Sequence, residues 1–90
     1  MSFNMYEVKF TATAKLHLSQ LEKKYQSAAA KAIDRLAINP KIGDALQGTL
    51  KGYWRLRFSS YRIIYTIRQS ALIVIVFEVA HRREVYKRNF

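Results

Sequence analysis

The chain has 90 residues, and 16 of them are Lys or Arg against six Asp or Glu, which gives a formal charge of +10 at pH 7. Half of the residues are hydrophobic, enough for the core of one small domain spanning residues 1–90. The absence of cysteine excludes disulfides and thiolate metal sites, and no apolar run approaches the ~20 residues of a membrane span. We therefore expect a cytoplasmic protein that binds a polyanion and no membrane.

The charge is concentrated in the second half of the chain. Residues 1–50 contain seven basic and four acidic residues, whereas residues 51–90 contain nine and two. The polyanion is therefore expected to contact mainly the C-terminal half.

An N-terminal strand and a first helix are predicted at the start. Tyr6, Val8 and Phe10 alternate as in a half-buried strand, and Thr11 or Thr13 can cap the helix that follows. The apolar stripe of this helix, which predicts about three to four turns, consists of Ala14, Leu18, Leu21 and Tyr25.

A second helix is predicted between Gln26–Ser27, which offers a break and a new cap, and Asn39–Pro40, which ends the pattern. Its stripe consists of Ala29, Ala32, Ile33 and Leu36. Two helices joined so closely fold back as a hairpin. Residues 41–51 are typical of a loop, in which Gly43 and two further glycines can adopt positive φ angles.

Three strands are predicted after the loop. Residues 53–58 alternate between an apolar and a cationic, aromatic face, and Ser59–Ser60 turns the chain into residues 61–67. Residues 72–80 are almost wholly apolar, as expected of a strand covered on both faces. This order predicts an α+β domain in which the helical hairpin packs on a mostly antiparallel, twisted sheet of about four strands.

Arginines near the predicted strand ends are candidates for phosphate binding. Guanidinium groups make bidentate contacts with phosphate oxygens and can stabilise charge that develops during phosphoryl transfer. The alternative is a solvated basic face, because alternation gives every half-buried strand a polar side. The candidates are Arg55, Arg57, Arg62, Arg82 and Arg83.

Aromatic and titratable side chains accompany these arginines. Tyrosines that can stack on unpaired bases are Tyr53, Tyr61, Tyr65 and Tyr86, although the middle two are expected in the core. His81 can accept a proton near neutral pH or can be purely structural. Glu78 and Glu84 can act as a base or, more commonly, pair with an arginine. His17 is expected on the surface.

The segments GYWRLRFSSYRIIY and HRREVY, preceded by an LxG element, resemble the RelE/ParE superfamily of bacterial and archaeal toxins. The resemblance extends over essentially the whole chain. It implies a compact, microbial-ribonuclease-like sheet fold and a cognate antitoxin that wraps the toxin in a hetero-oligomer. RelE-like members enter the A site of the small ribosomal subunit and cut mRNA through attack of a ribose 2′-hydroxyl, without metal. ParE-like members poison DNA gyrase, and fold alone cannot distinguish the two activities.

The resemblance also implies roles for individual residues. The predicted activity is a metal-independent endoribonuclease without cofactor, in which Arg62 holds the scissile phosphate and Tyr86 stacks on a base. The full set of predicted catalytic residues is Arg55, Arg57, Arg62, His81 and Tyr86. The predicted RNA contacts are Lys51, Tyr53, Arg82, Arg83 and Lys87.

Some members of the superfamily have lysines where Arg55 and Arg57 stand, and one of those lysines is implicated as the proton acceptor. Because arginine stays protonated at neutral pH, both residues are assigned here to phosphate binding and charge stabilisation. His81 is then the leading candidate for the base, followed by Glu78 or Glu84. The predicted site therefore requires the strand end at His81 to meet the arginine hairpin.

Two other functions fit the sequence. A gyrase-poisoning toxin would use the same basic surface for protein contact. A nucleic-acid-binding module without catalysis would bind with an affinity that falls steeply as salt rises, and would yield no product.

Overall fold

The computed structural model describes residues 5–82, which form a five-stranded sheet with two helices on one face. The strands are β1 (Glu7–Phe10), β2 (Asp44–Ala45), β3 (Tyr53–Phe58), β4 (Tyr61–Arg68) and β5 (Ile73–His81), in the spatial order β1-β5-β4-β3-β2. β1 runs parallel to β5, and all other neighbours are antiparallel. The predicted α+β class and the mostly antiparallel sheet are confirmed. The additional strand, β2, lies in the segment predicted as a loop.

The helices are α1 (Ala12–Ser19) and α2 (Lys23–Ile38). Thr11 caps α1, since its Oγ1 accepts a hydrogen bond from the Ala14 backbone N–H at 3.1 Å. The predicted break at Gln26–Ser27 is wrong, and α1 is shorter than expected. Instead, α1 ends at Ser19, where the Leu21 N–H closes a last turn on the Leu18 carbonyl at 3.3 Å. Gln26, within α2, donates from Nε2 to the same carbonyl at 3.1 Å.

The core lies between the helices and one face of the sheet. The apolar stripe predicted for the second helix is confirmed, and small residues on α2 let it approach the strands closely. The stripe predicted for the first helix is confirmed only for Ala14 and Leu18, because α1 ends before Leu21 and Tyr25 belongs to α2. The buried residues are Ala14, Ala29, Ala32 and Leu36 from the helices and Leu56, Phe58, Ile63, Tyr65, Val74, Val76 and Val79 from the sheet. Each large side chain buried in this way contributes roughly 1.5–3 kcal/mol.

The pairing of β4 with β5 contains a β-bulge. Ile64 lies opposite Glu78, but the next residue, Tyr65, lies opposite Val76, so Phe77 is the extra residue of β5. The prediction that β5 is covered on both faces is wrong for its first half, where Ile73 and other alternate residues are only half-buried.

The tight turns agree with the sequence. Ser59 and Leu72 adopt left-handed conformations, with φ angles of 53° and 55°, at the two turns that flank β4. Gly48 and Gly52 also have positive φ angles, as expected, whereas Gly43 does not. Among residues 5–82, no helix has the length and apolar character required to cross a bilayer.

Candidate functional site

The face of the sheet opposite the helices carries the candidate site. On β3 and β4, alternation sends the apolar residues toward the helices, as predicted, and leaves the cationic residues on the other side. We call this second surface the arginine face. It comprises Tyr53, Arg55 and Arg57 of β3, Arg62 and Ile64 of β4, and Phe77 and Glu78 of β5.

Arg55 and Arg57 converge on one carboxylate. Their Nη2 atoms lie 3.7 and 3.4 Å from Oδ2 of Asp44, which belongs to β2 and pairs directly with Arg55. The Arg57 side chain is 61% exposed and the Arg55 side chain 24%. Nε of Arg55 is buried, and no residue in 5–82 accepts a hydrogen bond from it. Within residues 5–82, the Arg55 guanidinium group is therefore incompletely satisfied.

Arg62 is buried, with only 6% of its surface exposed. It lies directly opposite Arg57, and its Nη1 donates to the Tyr61 carbonyl at 3.3 Å. Two like charges directly opposite each other destabilise a sheet. The structure thus brings together all three arginines of the predicted hairpin.

A pocket of about 540 Å³ adjoins the arginines. Ile64 forms part of its wall and is the direct partner of Arg55 in the neighbouring strand. The Tyr53 ring packs edge-on against the Phe77 ring, with 5.5 Å between the ring centroids, and this contact holds the two rings in place. The complete lining is Thr11, Thr13, Thr49, Leu50, Tyr53, Ile64, Phe77 and Glu78.

Glu78 lies on the arginine face because of the bulge. Without the extra residue, the alternation from Val74 and Val76 would turn Glu78 toward the helices. With it, Phe77 and Glu78 both face the pocket, and Arg55, Ile64 and Glu78 form one row across three strands. Two strand spacings place the Arg55 and Glu78 backbones roughly 10 Å apart.

His81 lies on the opposite side of the sheet. The same bulge reverses its orientation, so that it pairs with Tyr61 and packs edge-on against the Tyr61 ring, 5.4 Å between centroids. The strand end at His81 therefore meets the hairpin at Tyr61, as expected, but its side chain lies on the face opposite the arginines. A pocket of about 170 Å³ on the helix side contains it, together with His17, Gln20, Leu21, Tyr61 and Val79.

His17 is half-buried rather than a surface residue. Its Nδ1 accepts a hydrogen bond from the Val79 backbone N–H at 3.2 Å, just after the bulge. This bond ties α1 to β5, which gives the residue a structural role that helical position alone did not indicate.

The predicted RNA contacts are only partly covered by the described residues. Lys51 is exposed in the turn before β3. Arg82 is exposed at the end of β5, and its backbone N–H donates to the Ser60 carbonyl at 2.8 Å. The remaining predicted residues, Arg83, Glu84, Tyr86 and Lys87, lie outside residues 5–82.

Sequence reasoning missed the segment that holds Asp44 beside the arginines. Tyr65 donates its hydroxyl to the Pro40 carbonyl at 2.6 Å, and burial raises the pKa of Tyr65 to about 12. A Cβ on Gly43 would lie 2.5 Å from the Tyr65 hydroxyl and 2.6 Å from the Arg55 carbonyl. Position 43 therefore has no room for a side chain, because its backbone lies against the Arg55 backbone. This contact also holds the next residue, Asp44, near Arg55.

Known proteins resemble the chain over nearly its whole length. Residues 8–86 match the family described as the ParE toxin of the type II toxin–antitoxin system parDE. Toxin RelG of Mycobacterium tuberculosis is 32% identical over 85 residues, which cover 92% of this chain and 98% of the relative.

Solved structures show the same fold. The toxin–antitoxin complex RelBE2 from M. tuberculosis has a chain with a TM-score of 0.80 and 31% identity, covering 87% of this chain and 92% of that one. The isolated RelE toxin of Escherichia coli has a TM-score of 0.74 at 20% identity, over 94% and 99% of the two chains, and supports the fold alone. The protein therefore belongs to the RelE/ParE superfamily of toxins from type II toxin–antitoxin systems.

Proposed function

We propose that the protein is a ribosome-dependent endoribonuclease that cleaves mRNA in the ribosomal A site and so inhibits translation. The observation that carries this proposal is the arrangement of Arg57 opposite Arg62, with Arg55 in the adjacent row of the same face. Such a cluster of like charges lowers the stability of the sheet. That cost is expected where the ligand is an anion, and a scissile phosphate is an anion of suitable size.

The proposed reaction is an in-line transfer at phosphorus. A ribose 2′-hydroxyl gives up its proton and its oxygen forms a bond to the adjacent phosphorus while the bond to the 5′-oxygen breaks. The leaving 5′-oxygen takes a proton from solvent, which gives a 2′,3′-cyclic phosphate and a 5′-hydroxyl. Arg57 and Arg55 contact the non-bridging oxygens and stabilise the charge that develops on them. Arg62 is buried beside them and adds positive potential from within the sheet. The scheme uses no metal ion or cofactor.

We assign the proton acceptor to Glu78 instead of His81. Glu78 lines the pocket beside Ile64, in the same row as Arg55, whereas His81 contacts Tyr61 on the helix side. A base on the arginine face can reach a 2′-hydroxyl next to the bound phosphate, and general-base catalysis contributes about 10²- to 10⁴-fold. Tyr86, Arg82, Arg83 and Lys87 stay predicted contacts with the RNA.

The proposed setting is a cytoplasmic toxin held inactive by a cognate antitoxin. Structures of related proteins are described as toxin–antitoxin complexes, including RelBE2 of M. tuberculosis, which supports an antitoxin partner for this chain. The net charge of +10 favours an acidic partner and, on its release, the anionic surface of the ribosome.

A second candidate is a gyrase poison, which the match to the ParE family favours. Primer extension on mRNA from ribosomes treated with the purified toxin distinguishes the two. New 5′ ends inside codons that occupy the A site support the endonuclease. Intact mRNA together with inhibited gyrase supercoiling would reject it in favour of the poison, and intact mRNA with active gyrase would reject both.

A further inference from the structure

Asp44 is the one side chain in residues 5–82 that forms ion pairs with Arg55 and Arg57 of the arginine face. A single oxygen, Oδ2, faces Nη2 of both Arg55 and Arg57. These are the groups that the proposed function assigns to the RNA phosphate. We propose that Asp44 is an internal competitor, whose carboxylate occupies the phosphate-binding arginines in the RNA-free protein and is displaced from them by RNA.

The backbone of Asp44 is held firmly in place. Asp44 pairs with Arg55 across β2 and β3, and two residues later the Leu46 N–H donates to the Tyr53 carbonyl at 2.9 Å. On the other side, Gly43 packs against the Arg55 carbonyl so closely that no side chain fits. The backbone that carries the carboxylate therefore stays at the edge of the arginine face, and only the side chain has to move when RNA displaces it.

The contacts that the carboxylate makes are weak enough to be displaced. Distances of 3.4 and 3.7 Å exceed the 2.7–2.9 Å typical of a strong charge-assisted hydrogen bond, and the Asp44 side chain is 53% exposed. An exposed ion pair of this kind changes an equilibrium constant by about 5-fold at most. A phosphate offers several oxygens in bidentate geometry and can replace the single shared oxygen of Asp44.

The consequence is that Asp44 lowers the affinity of the arginine face for any polyanion. Every polyanion that contacts Arg55 and Arg57 must first displace Asp44, so non-specific binding to free RNA is weakened. A phosphate that is already positioned by another surface, as on a ribosome, has a high local concentration and tolerates the same penalty. Asp44 would then favour the proposed substrate over RNA in general. This inference rests on the proposed function.

The test compares two substitutions that change net charge equally. Asp44→Asn removes the competing charge, and the control Asp34→Asn removes an exposed carboxylate on α2, away from the arginine face. Affinity for a short single-stranded RNA is measured by fluorescence anisotropy at fixed ionic strength. Asp44→Asn is expected to tighten binding about 2- to 5-fold more than Asp34→Asn. Asp44→Ser should behave like Asp44→Asn and checks against an effect of the introduced amide.

An Asp44→Asn affinity equal to that of Asp34→Asn, or weaker than that of the unaltered protein, would overturn the inference. In an Arg57→Gln background, the gain from Asp44→Asn should shrink. If Arg55→Gln and Arg57→Gln leave RNA affinity unchanged, the arginine face does not bind RNA, and the proposed function fails together with the inference. If those two variants weaken binding while Asp44→Asn has no special effect, only the inference fails.

Discussion

The two faces of the sheet are made from the same strands, yet they have opposite energetic properties. The helix face buries large apolar side chains such as Ile63 and Val76, and each contact there adds stability. The arginine face places Arg57 opposite Arg62, an arrangement that costs stability, and it also carries the carboxylate of Glu78. One face therefore holds the fold together, and the other is the face to which the proposed function assigns binding and chemistry.

The bulge in β5 decides which chemical groups belong to which face. Before it, Val74 and Val76 face the helices, and after it Val79 takes their place. Glu78 thereby joins the arginines, and His81 faces the helix side. Bulges are frequent next to active sites because they redirect a side chain in this way.

The largest expected effect separates the two candidate bases. Glu78→Gln keeps the size of the side chain but removes its basicity, so the rate of mRNA cleavage on the ribosome should fall about 10²- to 10⁴-fold. The matched variant His81→Gln lies on the other face and should retain cleavage within about 10-fold. Primer extension over a time course measures both rates. The reverse ranking would show that the proton is taken by His81 and that the assignment from the two faces is wrong.

The next effect concerns the exposed arginine. Arg57→Gln should lower the cleavage rate about 10²-fold, because one donor to the developing phosphate charge is lost. The free energy of unfolding should change by less than about 0.5 kcal/mol, since the side chain is mostly exposed. Arg35→Gln on α2 makes the same charge change away from the arginine face and should leave cleavage unaltered. Equal losses in the two variants would indicate a general effect of net charge.

Much of the fold could be predicted from the sequence because its signals are local. The alternation in residues 53–58 and the stripe around Ala29 and Leu36 each report which side chains are buried, and both agree with the structure. The helix break was placed wrongly because the turn after Ser19 contains no glycine or proline to mark it, and the two helices are joined there by a hydrogen bond from Gln26 to the Leu18 carbonyl. The sequence does not show that contact.

The candidate site was predictable only in its cationic part. The three arginines of the hairpin are fixed by short-range alternation, so the sequence places them together correctly. Glu78 and His81 depend on a register shift between β4 and β5, which an apolar run does not reveal. Asp44 depends on a two-residue strand whose position is set by contacts of Gly43 with distant residues. Such contacts are long-range and leave no periodic pattern.

A smaller effect, on stability, is expected from the buried Tyr65 hydroxyl, which bonds the Pro40 carbonyl shortly before β2. Burial raises the pKa of Tyr65 to about 12, above the unfolded value of 10.0, so its contribution to stability is complete below pH 10 and is lost as pH rises toward 12. At pH 11 the loss relative to pH 8 should be about 1.4 kcal/mol. Tyr65→Phe lacks this titration. The difference in unfolding free energy between the two proteins, from urea denaturation, should shift by that amount between the two pH values, and no shift would contradict the buried hydroxyl.

The smallest effect on stability is expected on the helix face, where His17 bonds the Val79 backbone N–H. His17→Leu leaves the Val79 N–H without its acceptor, which should lower the free energy of unfolding by about 1 kcal/mol. His17→Asn is the control, because an amide oxygen can take the place of Nδ1 and should restore most of the loss. Since neither change touches the arginine face, both variants should cleave mRNA at the unaltered rate under conditions in which they are folded. Thermal denaturation measures the stability, and primer extension measures the rate. A loss of cleavage in folded His17→Leu would mean that the two faces are coupled through the bulge and that stability and chemistry are not divided between them.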